Sequence, residues 1–196
     1  GRADEDYIKA GAEIVESKEE LWGKSEMIFK VKEPIEAEYE LMRPGQRIFA
    51  YLHMAADKNL AEALKKNKVT GISFETVTVD GKLPLLKPMS EIGGCLAVNE
   101  GSVFLTNHRG GKGKLLQGLP GVAPAHVVVV GGGVAGTGAV RTALGIGARV
   151  TVLDNDVERL ALLADIYGSK LETVYSNDYN VRKAVESADL VVGAVL

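Results

Sequence analysis

Short apolar runs and amphipathic stretches alternate along this chain in two blocks. In the second block, residues 126–130 (His-Val-Val-Val-Val) are nearly all apolar, the pattern of a strand buried on both faces of a parallel sheet. The alternation then continues as helix 134–144, strand 149–153, helix 156–167, strand 172–175, helix 178–187 and strand 190–195. Strands separated by helical stretches predict βαβ units. In the first block, residues 27–31 are a short apolar run ended by Glu33-Pro34, since proline disfavours a regular continuation. Residues 35–42 read as a short helix closed by Pro44-Gly45. Residues 47–52 read as a strand and 59–66 as a helix whose lysines suit its C-terminal end. A third strand at 69–74 precedes a turn at Asp80-Gly81. Residues 4–15 resemble one more helix.

Between the blocks, residues 90–98 predict a connecting helix, weakened by Gly93-Gly94 at about 1 kcal/mol each relative to alanine. Residues 110–121 carry five glycines, a proline and two lysines, which predicts a flexible connection. The apolar run 190–196 has no covering helix after it, so the pattern is that of a chain cut at both ends.

The most specific local feature is the junction of strand 126–130 with the next helix. Residues 131–136 read Gly-Gly-Gly-Val-Ala-Gly, a Gly-x-Gly-x-x-Gly turn. Gly131 permits a tight turn, Gly133 lets backbone approach a pyrophosphate, and Gly136 lets the helix pack close to the sheet. The free N–H groups that follow, at Val134 and Ala135, face phosphates with the positive end of the helix dipole behind them. Asp154 ends the next strand, within the roughly 20 residues after the turn where a carboxylate binds an adenosine ribose. An anion there repels a 2′-phosphate, so NAD is expected as cofactor in preference to NADP.

Composition mainly excludes. With 46% hydrophobic and 25% charged residues, the chain is ordinary globular material, and 196 residues suffice to bury a core. A net charge of −3 gives no reason to expect nucleic acid or an anionic membrane as partner. No apolar run approaches the roughly 20 residues of a membrane span. The polar, acidic start is unlike a signal peptide. Cys95 is the single cysteine, which leaves no internal disulfide and fits a reducing compartment. A soluble cytoplasmic protein is expected.

Two segments of the first block offer chemistry. Lys30-Val31-Lys32-Glu33-Pro34 and Tyr51-Leu52-His53-Met54-Ala55-Ala56 both lie at C-terminal ends of strands, where ligands of open α/β sheets collect. A lysine offers charge for a carboxylate, and a histidine passes protons near neutral pH. Each also has an ordinary reading, as a solvated lysine and a packed histidine.

These segments resemble the alanine dehydrogenase and nicotinamide nucleotide transhydrogenase α-subunit superfamily. The resemblance continues through Leu-Pro-Leu-Leu-Lys-Pro-Met-Ser-Glu-Ile (83–92), Leu-Pro-Gly-Val-Ala-Pro (119–124), the glycine turn, Val-Thr-Val-Leu-Asp (150–154), Tyr-Ser-Asn (175–177) and residues 188–196. It spans essentially the whole chain. The Leu-His-Met-Ala segment is similar to the alanine dehydrogenase branch. The resemblance implies an α/β protein with a Rossmann-type dinucleotide-binding domain at 126–196 and a second α/β substrate domain at 1–88. A helix and linker at 89–125 would join them, and both domains would be incomplete.

It also implies NAD-dependent oxidative deamination of L-alanine to pyruvate and ammonia, in a homo-oligomer, commonly a hexamer. Lys32 would bind the substrate carboxylate and polarise the carbonyl, and His53 would transfer protons. Ser90 and Ser176 would lie along the cofactor, Asp154 would hold its ribose, and Arg159 could reach the adenosine side. A transhydrogenase-like subunit moving hydride between nicotinamide nucleotides is one alternative. A non-catalytic NAD-binding or scaffold protein is another.

Gly93-Gly94-Cys95 departs from the family pattern, which usually reads Ala-Gly-Arg and so carries a charge beside the nucleotide cleft. Cys95 reads most simply as a small buried side chain. His108 and His126 read as surface or structural residues, and the basic stretch 107–114 as a solvated interdomain loop. No His, Cys and carboxylate cluster has metal-ligand spacing, so no metal is expected.

Overall fold

The computed structural model describes residues 1–195, so the Leu196 end of the predicted strand run lies outside the described residues. The chain forms two compact units, Gly1–Leu86 and a second that begins at Lys87. Both are parallel α/β structures, as the alternating pattern predicts.

In the first unit, β1 (Met27–Phe29), β2 (Arg47–Ala50) and β3 (Thr70–Ser73) form a parallel sheet in the order β1-β2-β3. One sheet face packs on α2 (Lys18–Lys24) and α3 (Lys58–Lys66), enclosing Trp22, Ile28, Met42, Ile48, Leu60 and Leu64. Asp57 caps α3 by accepting the Leu60 N–H at 3.1 Å. Two local expectations need correction, at residues 4–15 and at α2. The helix at residues 4–15 is only α1 (Asp4–Lys9), which has no buried residue to extend it by packing. The short helix expected at residues 35–42 is present, as a 3₁₀ helix at Glu36–Leu41. Helix α2 has no counterpart in the predicted pattern; Ser17 caps it, and Trp22 is its one buried residue.

The second unit begins with α4 (Lys87–Phe104). It continues as β4 (His126–Val130), α5 (Val134–Ile146), β5 (Arg149–Asp154), α6 (Val157–Tyr167), β6 (Leu171–Tyr175), α7 (Asp178–Ser187) and β7 (Leu190–Gly193). The sheet is parallel throughout in the order β6-β5-β4-β7. Val127, Val128 and Val129 are all fully buried, which is why β4 is apolar without alternation. His126 is buried and structural: Nε2 lies 2.8 Å from Thr151 Oγ1, which in turn donates to Glu172 Oε2 at 2.7 Å.

Helix α4 runs through Gly93-Gly94, well past the predicted 90–98. A Cβ on Gly94 would sit 1.9 Å from the Ala135 carbonyl oxygen, so glycine is what lets α4 cross α5 closely. Cys95 is only half-buried at this crossing, its Sγ 3.8 Å from the Gly138 carbonyl, rather than fully buried.

The flexible connection expected at 110–121 is instead tied down. Gly113 N donates to Leu105 O at 2.8 Å, Leu119 and Val122 bridge as an antiparallel pair, and Leu116 is buried in the core. Asp189 anchors the same stretch, 2.6 Å from Lys114 Nζ, while accepting the His126 N–H at 2.9 Å. Burial pushes the Asp189 carboxyl up, but Lys114, the His126 N–H and Lys112 outweigh it and leave it below the usual range.

Candidate functional site

Two clusters carry the candidate residues, one in each unit. In the second unit, the buried strand β4 leads directly into the glycine turn. Gly131 has φ +100°, a conformation that L side chains rarely adopt. A Cβ on Gly136 would fall 1.7 Å from the Gly131 carbonyl oxygen, so only glycine lets α5 start this close to β4. Helix α5 has Gly133 at its N-cap, no side-chain cap and no acid in its first turn. The first N–H groups of a helix have no intrahelical acceptor, so those at Val134, Ala135 and Gly136 form an anion-accepting end. Gly133 and Val134 are exposed there, and a Cβ on Gly133 would meet nothing within 4 Å.

Asp154, at the end of β5, turns its carboxylate onto this turn. Oδ2 accepts the Gly132 N–H at 2.6 Å and Oδ1 accepts the Asp156 N–H at 2.9 Å. Ser176 follows β6, and its N–H donates to the Asp154 carbonyl at 2.8 Å, placing it at the same C-terminal sheet edge. Arg159 reaches back from α6 to the turn, with Nε 2.6 Å from the Gly132 carbonyl. Ser90 sits in the first turn of α4, one helical turn before Gly94 and its contact with Ala135. The glycine turn therefore gathers Asp154 and Arg159 directly. Neighbouring strand ends and α4 hold Ser176 and Ser90.

In the first unit, the two segments expected to carry chemistry lie side by side. Tyr51 N–H donates to Val31 O at 3.0 Å, and Lys30 N–H to Phe49 O at 3.2 Å, prolonging the β1–β2 pairing toward Lys32 and His53. Lys32 is 63% exposed at its side chain, with Nζ 3.2 Å from Glu33 Oε2. Glu33 is held below the usual carboxylate range chiefly by its own N–H, against the effect of burial, with help from Lys32 and the charge of His53. The Glu33 carboxylate thus pairs directly with Lys32.

His53 is exposed, near-parallel to the Tyr51 ring at a 14° interplanar angle, and at φ +45°, an uncommon backbone state for a side-chain-bearing residue. Glu75 stabilises that turn, accepting the His53 N–H at 2.7 Å and the Leu52 N–H at 3.3 Å. Burial pushes the Glu75 carboxyl up, yet the hydrogen bonds from Ser73, its own N–H, His53 and Leu52 win and leave it low.

Glu75 and Thr137 are absent from the residues singled out by sequence. A hydroxyl four residues after Gly133 is able to bond back to its carbonyl, so Thr137 had a local signal. Glu75 had only its place at the end of the third strand. Among the described residues, no group of three His, Cys, Asp or Glu side chains could hold a metal ion, and no helix is long and apolar enough to cross a membrane.

Two parallel α/β units, one of Rossmann type with a glycine turn after its first strand, define the class of protein. The chain belongs to the alanine dehydrogenase/PNT family: the family's N-terminal domain matches residues 1–93 and its C-terminal domain residues 97–196. The alanine dehydrogenase of Methanococcus maripaludis is 52% identical over 194 residues, covering 98% of this chain and 52% of that protein. That of Bacillus subtilis is 47% identical over 196 residues, covering 100% and 52%. The chain therefore spans about half the length of the curated relatives it matches. A solved L-alanine dehydrogenase superposes with a TM-score of 0.89 at 49% identity, over 100% of this chain and 54% of that one. A transhydrogenase from Sinorhizobium meliloti shares the fold at a TM-score of 0.75 and 20% identity, over 98% and 56%.

Proposed function

We propose that this chain is part of an NAD-dependent alanine dehydrogenase, interconverting L-alanine with pyruvate and ammonia. The observation that carries the reading is the Tyr51–Val31 backbone bond, which sets the Lys32 and His53 segments side by side at a strand-end edge. Relatives named alanine dehydrogenase at about half identity supply the substrate. The first unit is read as the substrate domain and the second as the nucleotide domain.

The glycine turn fits a dinucleotide: its helix end is uncapped and acid-free, and its approach is open at Gly133. Gly131, Gly133, Val134, Ala135 and Gly136 would hold the pyrophosphate, Asp154 the adenosine ribose, and Ser90 and Ser176 would lie along the cofactor. NAD, when bound, supplies the acceptor for the hydride that leaves the amino-acid α-carbon. The remaining work falls to side chains of this chain. Lys32, an exposed ammonium, neutralises the substrate carboxylate and polarises the developing carbonyl oxygen. His53 takes up and returns protons as water adds to the imine carbon and ammonia departs. Glu33 pairs with Lys32 and orients it, at 3.2 Å.

Family resemblance adds a homo-oligomer, commonly a hexamer, and the single cysteine fits a cytoplasmic setting. The test is NADH consumption by the complete protein with pyruvate and ammonium together and with each alone. Turnover that needs both supports the reading, and His53→Ala and Lys32→Ala are expected to lower it at least about a hundredfold. NADH binding without turnover would move the assignment to a nucleotide-binding protein that lacks the reaction.

A further inference from the structure

Two side chains outside the glycine fingerprint hold the turn from behind. Arg159 Nε donates to the Gly132 carbonyl at 2.6 Å, and Arg159 Nη2 donates to the Thr137 hydroxyl at 2.5 Å. Thr137 Oγ1 lies 2.7 Å from the Gly133 carbonyl oxygen and 3.0 Å from that of Gly132. A hydroxyl has one proton, so Thr137 accepts from Arg159 while donating to one of these carbonyls, with the Gly133 oxygen the nearer. Two successive carbonyls of the turn are thus bonded to side chains of α5 and α6.

The consequence follows from peptide planarity. Fixing the carbonyl of Gly132 fixes the direction of the Gly133 N–H, and fixing that of Gly133 fixes the Val134 N–H. The Gly133 N–H belongs to the N-cap and the Val134 N–H is the first donor of the uncapped end of α5, whose Gly133 carbonyl also accepts the Thr137 N–H at 2.9 Å. Among the described residues, Arg159 forms no ion pair with any carboxylate. Its guanidinium shares the turn with the Asp154 carboxylate, which accepts the Gly132 N–H on the other side of the same residue.

The geometry points to Thr137 and Arg159 as positioning residues for pyrophosphate recognition, acting by turning two carbonyls away from the ligand and their N–H partners toward it. This rests on the dinucleotide reading of the glycine turn and gives Arg159 a role different from direct contact with adenosine. Its two resolved bonds go to protein groups, and the gain is preorganisation: donors already aimed need no rearrangement when the ligand arrives.

The test introduces Thr137→Val, Thr137→Ser and Arg159→Met into the complete protein and compares each with the parent, binding ADP-ribose and NADH by calorimetry and adenosine by NMR titration. Thr137→Val and Arg159→Met are expected to weaken both pyrophosphate ligands about tenfold, the effect of losing one hydrogen bond to a charged group. Adenosine affinity stays unchanged, and Thr137→Ser restores parental values. Unchanged ADP-ribose affinity in Thr137→Val and Arg159→Met overturns the proposal. So does an equal loss for adenosine, which would mean direct adenosine contact or general loosening. If Thr137→Val fails to fold, Arg159→Met gives the same comparison. A complete parent protein that binds neither NADH nor ADP-ribose instead overturns the dinucleotide reading itself.

Discussion

The Glu75 carboxylate accepts the backbone N–H of His53 at 2.7 Å, tying the end of the third strand to the turn after the second. His53 stands at φ +45°, and such a backbone state persists only where its surroundings over-determine it. One carboxylate oxygen serves Leu52 and the other serves His53, so both acceptors are in use.

Glu75→Gln replaces one acceptor oxygen with an NH₂ group that faces an N–H. The expected loss is about 1–2 kcal/mol of stability, read by thermal or urea unfolding. Hydrogen exchange at Leu52 and His53 should quicken more than in α5. Unaltered exchange at these two amides would show that Glu75 does not hold the turn.

Gly94 and Gly93 are neighbours in sequence with opposite expectations. Gly94→Ala drives a Cβ to 1.9 Å from a backbone oxygen that has no flexible end to move, so α4 and α5 must separate. A loss of about 1–3 kcal/mol is expected. At Gly93 a Cβ meets nothing within 4 Å, so Gly93→Ala should raise stability by up to about 1 kcal/mol. Paired denaturation curves decide it, and equal effects at the two positions would contradict the close crossing.

Asp189 links the glycine-rich connection to the start of β4 and has a carboxyl below the usual range. A depressed folded-state pKa means that the contribution is present above the unfolded value, about 3.9, and is lost as pH falls through the lower folded value. Asp189→Asn should therefore lower stability by about 1–3 kcal/mol at neutral pH. The gap between variant and parent Tm should narrow below about pH 4. A gap that stays constant down to pH 3 would refute this linkage.

Lys32 and the part-buried Glu33 form an ion pair at 3.2 Å. Glu33→Gln should change stability by at most about 1 kcal/mol, because the Lys32 partner is exposed and solvent screens the pair. Its expected effect is on KM for pyruvate in the complete protein, measured in the reductive direction.

Much of the second unit was legible because its signals are local. A run of valines buried on both faces, glycines where a Cβ would strike backbone, and an acid at the next strand end all follow from nearest neighbours along the chain. The first unit was harder to read. Its strands are three or four residues long, and α2 depends on burying Trp22 against partners far away in sequence. The supposed flexibility of residues 110–121 failed for a related reason. Glycine content signals conformational freedom, but Leu116 finds a core and Asp189 supplies a distant anchor.

By itself the sequence determined the order of strands and helices in the second unit, the glycine turn and its acid, because periodicity and steric limits act within a few residues. Only the tertiary structure decided that Glu75 supports His53, that Gly94 must be glycine, and that Thr137 and Arg159 bind the turn together. Those relationships join segments far apart in the chain, through hydrogen bonds and contacts whose geometry exists only once the sheets and helices have packed.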